Sequence, residues 1–269
     1  MNIEGIGKRG MMKKRMCYIA DIIKVGLHIK YLFFIAFTIS AFASPPNFAK
    51  YDGAAVILDL NTSKKETFNQ TRADERLSPC STFKILNSII SLDTGAVKDE
   101  NETVKWDGVA REYSAWNRDH NMRSAIGVSA VWFYQELARR VGAKKMQDGV
   151  SAAKYGNMDT SKSQTDFWLG SGSLRISASE QIDFLSGLVT GKLPFSYRAV
   201  ETVKDIMTLE RSKDYRLDGK TGSCGGVGWF VGFVEDSGHT KVFAFNIKGN
   251  GANGVEAKKI AVEYLRDGR

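Results

Sequence analysis

The spacing of apolar positions changes period along the chain, and the changes mark out its elements. "AAVILDL" (54–60) is a short, β-branched apolar run, which predicts a buried strand. Polar residues follow to Arg76. Behind Ser81, Leu86, Ile89 and Ile90 recur at i, i+3 and i+4, and Gly95 stops the pattern. That spacing predicts a helix with its apolar side in a core and Ser81 near its N-terminus. A second helical pattern runs from Ser124 to Gly142, with Tyr134, Leu137, Ala138 and Val141 on one side. "SASE" (177–180) is a capping box that opens a third helix through Leu188. A fourth covers Ser196 to Met207. "GWFVGFVE" (228–235) and "KVFAFNI" (241–247) then read as strands, parted by a turn at Asp236–Gly238. "EAKKIAVEYL" (256–265) is a closing helix.

Strands near both ends and helices between them predict an α+β fold. The two ends build one antiparallel sheet, over about 44–77 and 206–269. The stretch from about 78 to 205 is an inserted helical lobe. Repeats and low-complexity tracts are absent, and four prolines mark no linker.

The formal charge of +8 looks basic, but residues 1–43 carry seven Lys/Arg against two Asp/Glu. The remainder holds 31 against 28, a net of +3, with no basic stripe interleaved with aromatics, so nucleic acid is not an expected partner. The basic start is followed by the apolar run "YLFFIAFTISAFA" (31–43), and Ala41-Phe42-Ala43 fits the small-x-small cleavage rule. Residues 1–43 read as a cleaved signal peptide and 44–269 as an exported domain, periplasmic or extracellular. An uncleaved membrane anchor is the alternative. Cys80 and Cys224 remain after Ser44, a pair that permits one disulfide after export. His120 and His239 have no ligand spacing, so no metal is expected.

Four short motifs carry candidate chemistry. "STFK" puts Ser81 and Lys84 at i, i+3 on one helix face, where an amine can assist a hydroxyl nucleophile. Phe83 and Ile85 flank the lysine, and burial strips charge from an ammonium. Taken alone, S-x-x-K is equally an N-cap serine with a solvated lysine. "SAVW" (129–132) lies inside the second helix, "YGN" (155–157) in a loop, and "KTG" (220–222) directly before the strand pair. Each has a plain structural explanation: a serine bonding its own backbone, ordinary turn chemistry, an edge strand.

Their order is more specific than any one of them. S-x-x-K, S-x-V, Y-G-N and K-T-G resemble the active-site serine penicillin-recognising enzymes. "STFK", "WNRDH" (116–120), "SAVW", "YGN", "FWL" (167–169), "KTG" and "GWFVGF" together resemble a class D (oxacillinase-type) β-lactamase, over essentially all of residues 50–265. The resemblance implies a β-lactamase/transpeptidase-like fold and hydrolysis of β-lactam antibiotics, with resistance as the outcome. It implies that Ser81 is the nucleophile. Lys84, carboxylated by carbon dioxide or bicarbonate to N6-carboxylysine, is then the general base, with no other cofactor. Trp168 donates its indole N–H to that carbamate, within an apolar surround of Phe83, Val131 and Leu169. Ser129 relays a proton to the leaving nitrogen. Lys220 and Thr221 hold the substrate carboxylate, with Gly222 in the same substrate-binding strand, and the N–H groups of Ser81 and Ser223 form the oxyanion hole. Tyr155 and Asn157 shape the cleft floor. Trp116 reads both as a core residue and as a platform at the cleft mouth.

This chain departs from the pattern in two places. Class D enzymes commonly place an arginine after the last strand to grip the substrate carboxylate. Here Lys248, Lys258 and Lys259 stand in that stretch, with Glu256 near the expected position, and a lysine does not reproduce the guanidinium fork. Lys220 and Thr221, with Ser223 assisting, are expected to carry the contact without it. Class D enzymes also usually have a small residue before the serine, where this chain has Cys80. Certain class A carbapenemases resemble it in joining that position to the second residue after K-T-G. The resemblance thus implies a Cys80–Cys224 disulfide, with two buried free thiols as the alternative. An exported β-lactam sensor domain, or a penicillin-binding peptidase acylated without rapid turnover, is the rival reading. The sequence is silent on substrate range and oligomeric state.

Overall fold

A computed structural model of the protein describes residues 44–267. The signal segment expected over 1–43 lies outside the described residues. Six strands form one antiparallel sheet in the order β2-β1-β6-β5-β4-β3. They are β1 (Asp52–Asp59), β2 (Lys65–Phe68), β3 (Thr208–Arg211), β4 (Tyr215–Cys224), β5 (Val227–Asp236) and β6 (His239–Lys248). The first strand therefore pairs with the last, Asp52 opposite Lys248.

Alternation along β5 and β6 explains why both faces of the sheet are covered. Trp229, Val231 and Phe233, with Val242 and Ala244, enter the larger core. Phe230 and Val234, with Phe243, Phe245 and Ile247, enter a second core on the opposite face. Two two-residue turns, Gly225–Gly226 and Ser237–Gly238, join β4 to β5 and β5 to β6, all four residues with positive φ. That is the turn geometry whose twist matches antiparallel strands.

The helices are α1 (Gln70–Ala73), α2 (Lys84–Asp93), α3 (Met122–Val128), α4 (Val131–Val141), α5 (Ala143–Ala152), α6 (Ala178–Val189), α7 (Tyr197–Ile206) and α8 (Gly254–Asp267). Helix α8 packs on β4 and β5, and its Ala257, Ile260 and Ala261 fill the second core. Helix α6 packs on β1 and β6. Its capping box is complete: Ser177 Oγ accepts from Glu180 N at 3.1 Å and a Glu180 carboxylate oxygen accepts from Ser177 N at 2.9 Å. Helix α2 runs through the middle of the helical region, its Ile85, Leu86, Ile89 and Ile90 all buried.

The helix read from Ser124 to Gly142 is two helices. Ser129 takes a left-handed conformation, φ 58° and ψ 37°, and Ala130 is extended. The Ala130 N–H turns back to Ala125 O at 2.9 Å, which ends α3 before α4 begins at Val131. The S-A-V motif therefore sits at a helix junction rather than within a helix. Strands β2 and β3 and helices α1 and α5 carry no strong apolar period. In α5 only Met146 and Val150 are buried.

Candidate active site

Ser81 lies on one 3-10 turn, Cys80–Phe83, that runs directly into α2. Pro79 leads into it with φ −67°, and Thr82 closes it twice. The Thr82 N–H donates to Pro79 O at 3.1 Å and its hydroxyl donates to the same oxygen at 2.7 Å. Cys80 pays for the tight entry with a left-handed φ of 51°, a conformation that costs a non-glycine residue about 1–3 kcal/mol.

One turn on, Lys84 is 0% exposed and its Nζ donates to Ser81 Oγ at 2.6 Å. Burial pushes its amine well below the ordinary lysine range, and the nearby charge of Lys220 pushes the same way. Both effects favour the neutral amine. The Tyr134 ring, one turn along α4 from Val131, lies 5.5 Å from Nζ. Phe83 stacks on Trp168 at 5.4 Å and meets Phe167 edge-on at 5.0 Å. Trp168 is also 0% exposed, and its indole Nε1 has no hydrogen-bond partner among the described residues. Leu169, beside it, is partly buried against the same core.

Strand β4 brings K-T-G against the nucleophile turn. A side chain at Gly222 would meet Pro79 O at 3.0 Å, Thr82 Cγ2 at 3.1 Å and Cys80 Cβ at 3.3 Å, so this tight crossing favours glycine. Two residues on, Cys224 is joined to Cys80 in a disulfide, Cα to Cα 5.7 Å. Lys220 is buried, with Nζ donating to Thr221 O at 3.0 Å. Burial first, and the charge of Lys258 second, lower its pKa to about 7.

The sheet register sets which N–H groups of β4 face away from β5. Cys224 and Val227 close the two-residue turn, so hydrogen-bonded pairs alternate back along β4 and leave the N–H groups of Thr221 and Ser223 pointing off the sheet edge. Gly219 N confirms the sense of the alternation, since it donates outward to Met207 O at 3.1 Å. Strand β3 pairs only with 216–218, so the edge beside Thr221 and Ser223 is uncovered by it. Ser223 Oγ is engaged by Gly254 N at 2.7 Å, and Gly254 is pressed against Thr221 and Gly222. The N-terminus of α8 is thereby docked on the K-T-G strand.

Tyr155 and Asn157, expected to shape the cleft floor, both make their polar contacts inside the protein. Tyr155 is 0% exposed, its hydroxyl accepting from Gln181 Nε2 at 3.1 Å and its ring against Phe83 and Phe184. It packs on the Ser81 turn through Phe83 and Thr82. Asn157 is spent on the backbone: Nδ2 donates to Ser173 O at 3.0 Å and Oδ1 accepts from Arg175 N at 2.9 Å. It fastens the loop that carries Trp168. Trp116 is partly buried against the larger core. Its Nε1 is pegged to Val128 O at 2.8 Å, while its half-exposed ring lies 4.9 Å from the exposed Tyr113. Of the three lysines near the missing arginine, Lys248 pairs with Glu75 at 3.4 Å, Lys259 is exposed, and Lys258 lies 5.9 Å from the Phe230 ring centre. His120 is buried between Ser124 Oγ and Ala115 O, and no cluster of potential metal ligands occurs among the described residues.

Sequence reading missed Ser78 and Gln181, and took Trp229 only as part of the G-W-F-V-G-F strand. Gln181 Nε2 also donates to Thr82 Oγ1 at 3.0 Å, and Trp229 Nε1 donates to Ser78 O at 2.9 Å. Gln181 and Trp229 reach the turn from distant parts of the chain, and Ser78 is tied in turn to Trp168 and Trp229, partners that its own local sequence does not mark.

Residues 41–266 match the penicillin binding protein transpeptidase domain family. The chain is 41% identical over 222 residues to the probable β-lactamase YbxI of Bacillus subtilis, covering 81% of this chain and 82% of that one. It is also 41% identical over 227 residues to β-lactamase OXA-48 of Klebsiella pneumoniae, with 82% and 85% covered. Among solved structures, BPu1 β-lactamase superposes with a TM-score of 0.80 at 42% identity, over 84% of this chain and 97% of that one. The class D β-lactamase BAT-2 gives 0.80 at 39%, over 83% and 95%.

Proposed function

The chain belongs to the class D β-lactamases, within the penicillin-binding transpeptidase family, and on that premise we propose that it hydrolyses β-lactam antibiotics through an acyl-enzyme on Ser81. The observation that carries the proposal is the 2.6 Å contact between Ser81 Oγ and the Nζ of a lysine wholly shielded from water. Ser81 Oγ bonds to the lactam carbonyl carbon, the ring C–N bond breaks, and Ser129 passes a proton to the departing nitrogen. The N–H groups of Ser81 and Ser223 receive the charge on the carbonyl oxygen, which develops only in the transition state. Lys220 and Thr221 hold the substrate carboxylate. Water then cleaves the ester.

Carboxylation of Lys84 fits the residues present. Only a neutral amine adds carbon dioxide, forming one N–C bond and releasing one proton, and the surroundings of Lys84 favour that form. Phe83, Tyr134 and Trp168 give an apolar enclosure, and the partnerless Trp168 N–H is a donor for a buried anion. Carboxylated, Lys84 supplies a general base for acylation and deacylation. No metal takes part in this scheme. Small-molecule β-lactams are the substrates, and the signal-like residues 1–43 support export to the periplasm or exterior.

Turnover of a chromogenic cephalosporin tests the reading. Many turnovers per enzyme are expected, increasing with bicarbonate, while Lys84→Ala acylates slowly and stops. A wild-type enzyme that reacts once and stays acylated would instead be a sensor or a peptidase.

A further inference from the structure

Ser78 occupies a position that the scheme above does not use. It is buried, three residues before the nucleophile, and three parts of the site meet on it. Its Oγ donates to the backbone carbonyl of Trp168 at 2.9 Å. Its own carbonyl accepts from the indole of Trp229 at 2.9 Å, and Trp229 is fully buried near the start of β5. The Cys224 sulfur of the disulfide lies 3.4 Å from Ser78 Oγ. A chain of contacts thus runs from the rigid sheet through Ser78 to Trp168, the residue with the unpartnered buried donor.

We propose that Ser78 is a positioning residue for the general base, fixing the Trp168 backbone so that the indole N–H is aimed at carboxylated Lys84. The inference rests on the carbamate reading of Lys84. Trp168 sits in the loop from Asn157 to Arg175, outside regular secondary structure. Packing on Phe83 fixes the plane of its ring, but sliding within that plane leaves the stacking intact and moves Nε1. A hydrogen bond to its carbonyl from a residue tied to the sheet opposes the slide. The preference matters because an N–H that misses its acceptor in a dry site finds no water to replace it.

The test follows the carbamate itself. Wild type, Ser78→Ala and Trp229→Phe are titrated with 13C-bicarbonate, and the lysine carbamate NMR signal is read beside kcat and KM. In Ser78→Ala the half-saturating bicarbonate should rise about three- to tenfold, the size expected for one lost hydrogen bond, with kcat restored to within about twofold at saturation. KM should stay near the wild-type value. Trp229→Phe keeps an aromatic ring at this buried position and removes the indole N–H one link earlier, so it should shift the titration the same way by less, and it carries the test should Ser78→Ala fail to fold. A Ser78→Ala titration at wild-type bicarbonate, or lost activity that saturating bicarbonate does not recover, overturns the inference and leaves the base reading standing. A wild-type protein with no carbamate signal at any bicarbonate concentration removes the base reading and this inference together.

Discussion

The carboxylate contact proposed for Lys220 requires the lysine to be charged. Burial and then Lys258 bring its pKa to about 7, so its ammonium fraction falls as pH rises through that value. Because kcat/KM reports the free enzyme, it should show an alkaline limb near pH 7. Lys258→Met removes one of the two depressing effects and should move that limb upward. Bicarbonate should do the same, by placing negative charge on Lys84. A wild-type profile flat to pH 9 would contradict this account. If KM rises steeply in Lys258→Met with the limb unmoved, Lys258 is gripping the substrate in place of the missing arginine. Stability follows the same linkage with a definite sign. The folded pKa lies below the unfolded one, so the unfolded chain binds more protons between about pH 7 and 10.4 and this residue's contribution improves as pH rises across that window.

Among the elements, the crossing of β4 over the nucleophile turn leaves least room. Gly222→Ala places a methyl 3.0 Å from Pro79 O, so strand and turn must part by a few tenths of an ångström. Since an ångström of misplacement costs on the order of a hundredfold, kcat should fall roughly tenfold, and steady-state kinetics with circular dichroism as a folding check would show it. An unchanged kcat would mean that the turn is not held by the strand. What the sequence discloses depends on how local each cause is. The α6 capping box was legible because Ser177 and Glu180 bond to each other across one turn. The strands β5 and β6 were legible because both their faces are apolar. The break at Ser129 was not, since a left-handed serine leaves no compositional mark and helical periodicity runs straight across it. Short edge strands such as β2, only partly buried, give no period to detect. Within the site, K-T-G and S-x-x-K could be placed by resemblance, whereas Ser78, Gln181 and Trp229 act through partners roughly a hundred residues or more away. The interior position of Tyr155 follows from packing that its Y-G-N motif does not encode.

On the scale of the whole molecule, the disulfide spans 144 residues of sequence. The chain-entropy model gives an upper figure of about 5 kcal/mol for closing such a loop. Urea unfolding of the oxidised protein against Cys80→Ala/Cys224→Ala should show a loss of stability up to that size. Thiol titration of the unfolded, unreduced mature protein should find both cysteines unavailable, and two free thiols would contradict the bond. Strand order has a further consequence, for the time at which the molecule can fold. Because β1 pairs with β6, the middle of the sheet cannot close until nearly the entire polypeptide has been synthesised. At ribosomal rates the ~190 intervening residues take about 10–40 s. Through that interval the leading segment has only its hairpin partner β2. For the export proposed here, a nascent chain that cannot complete its core early stays threadable through a translocation pore, and it reaches its final shape on the far side, where the cysteines can be oxidised.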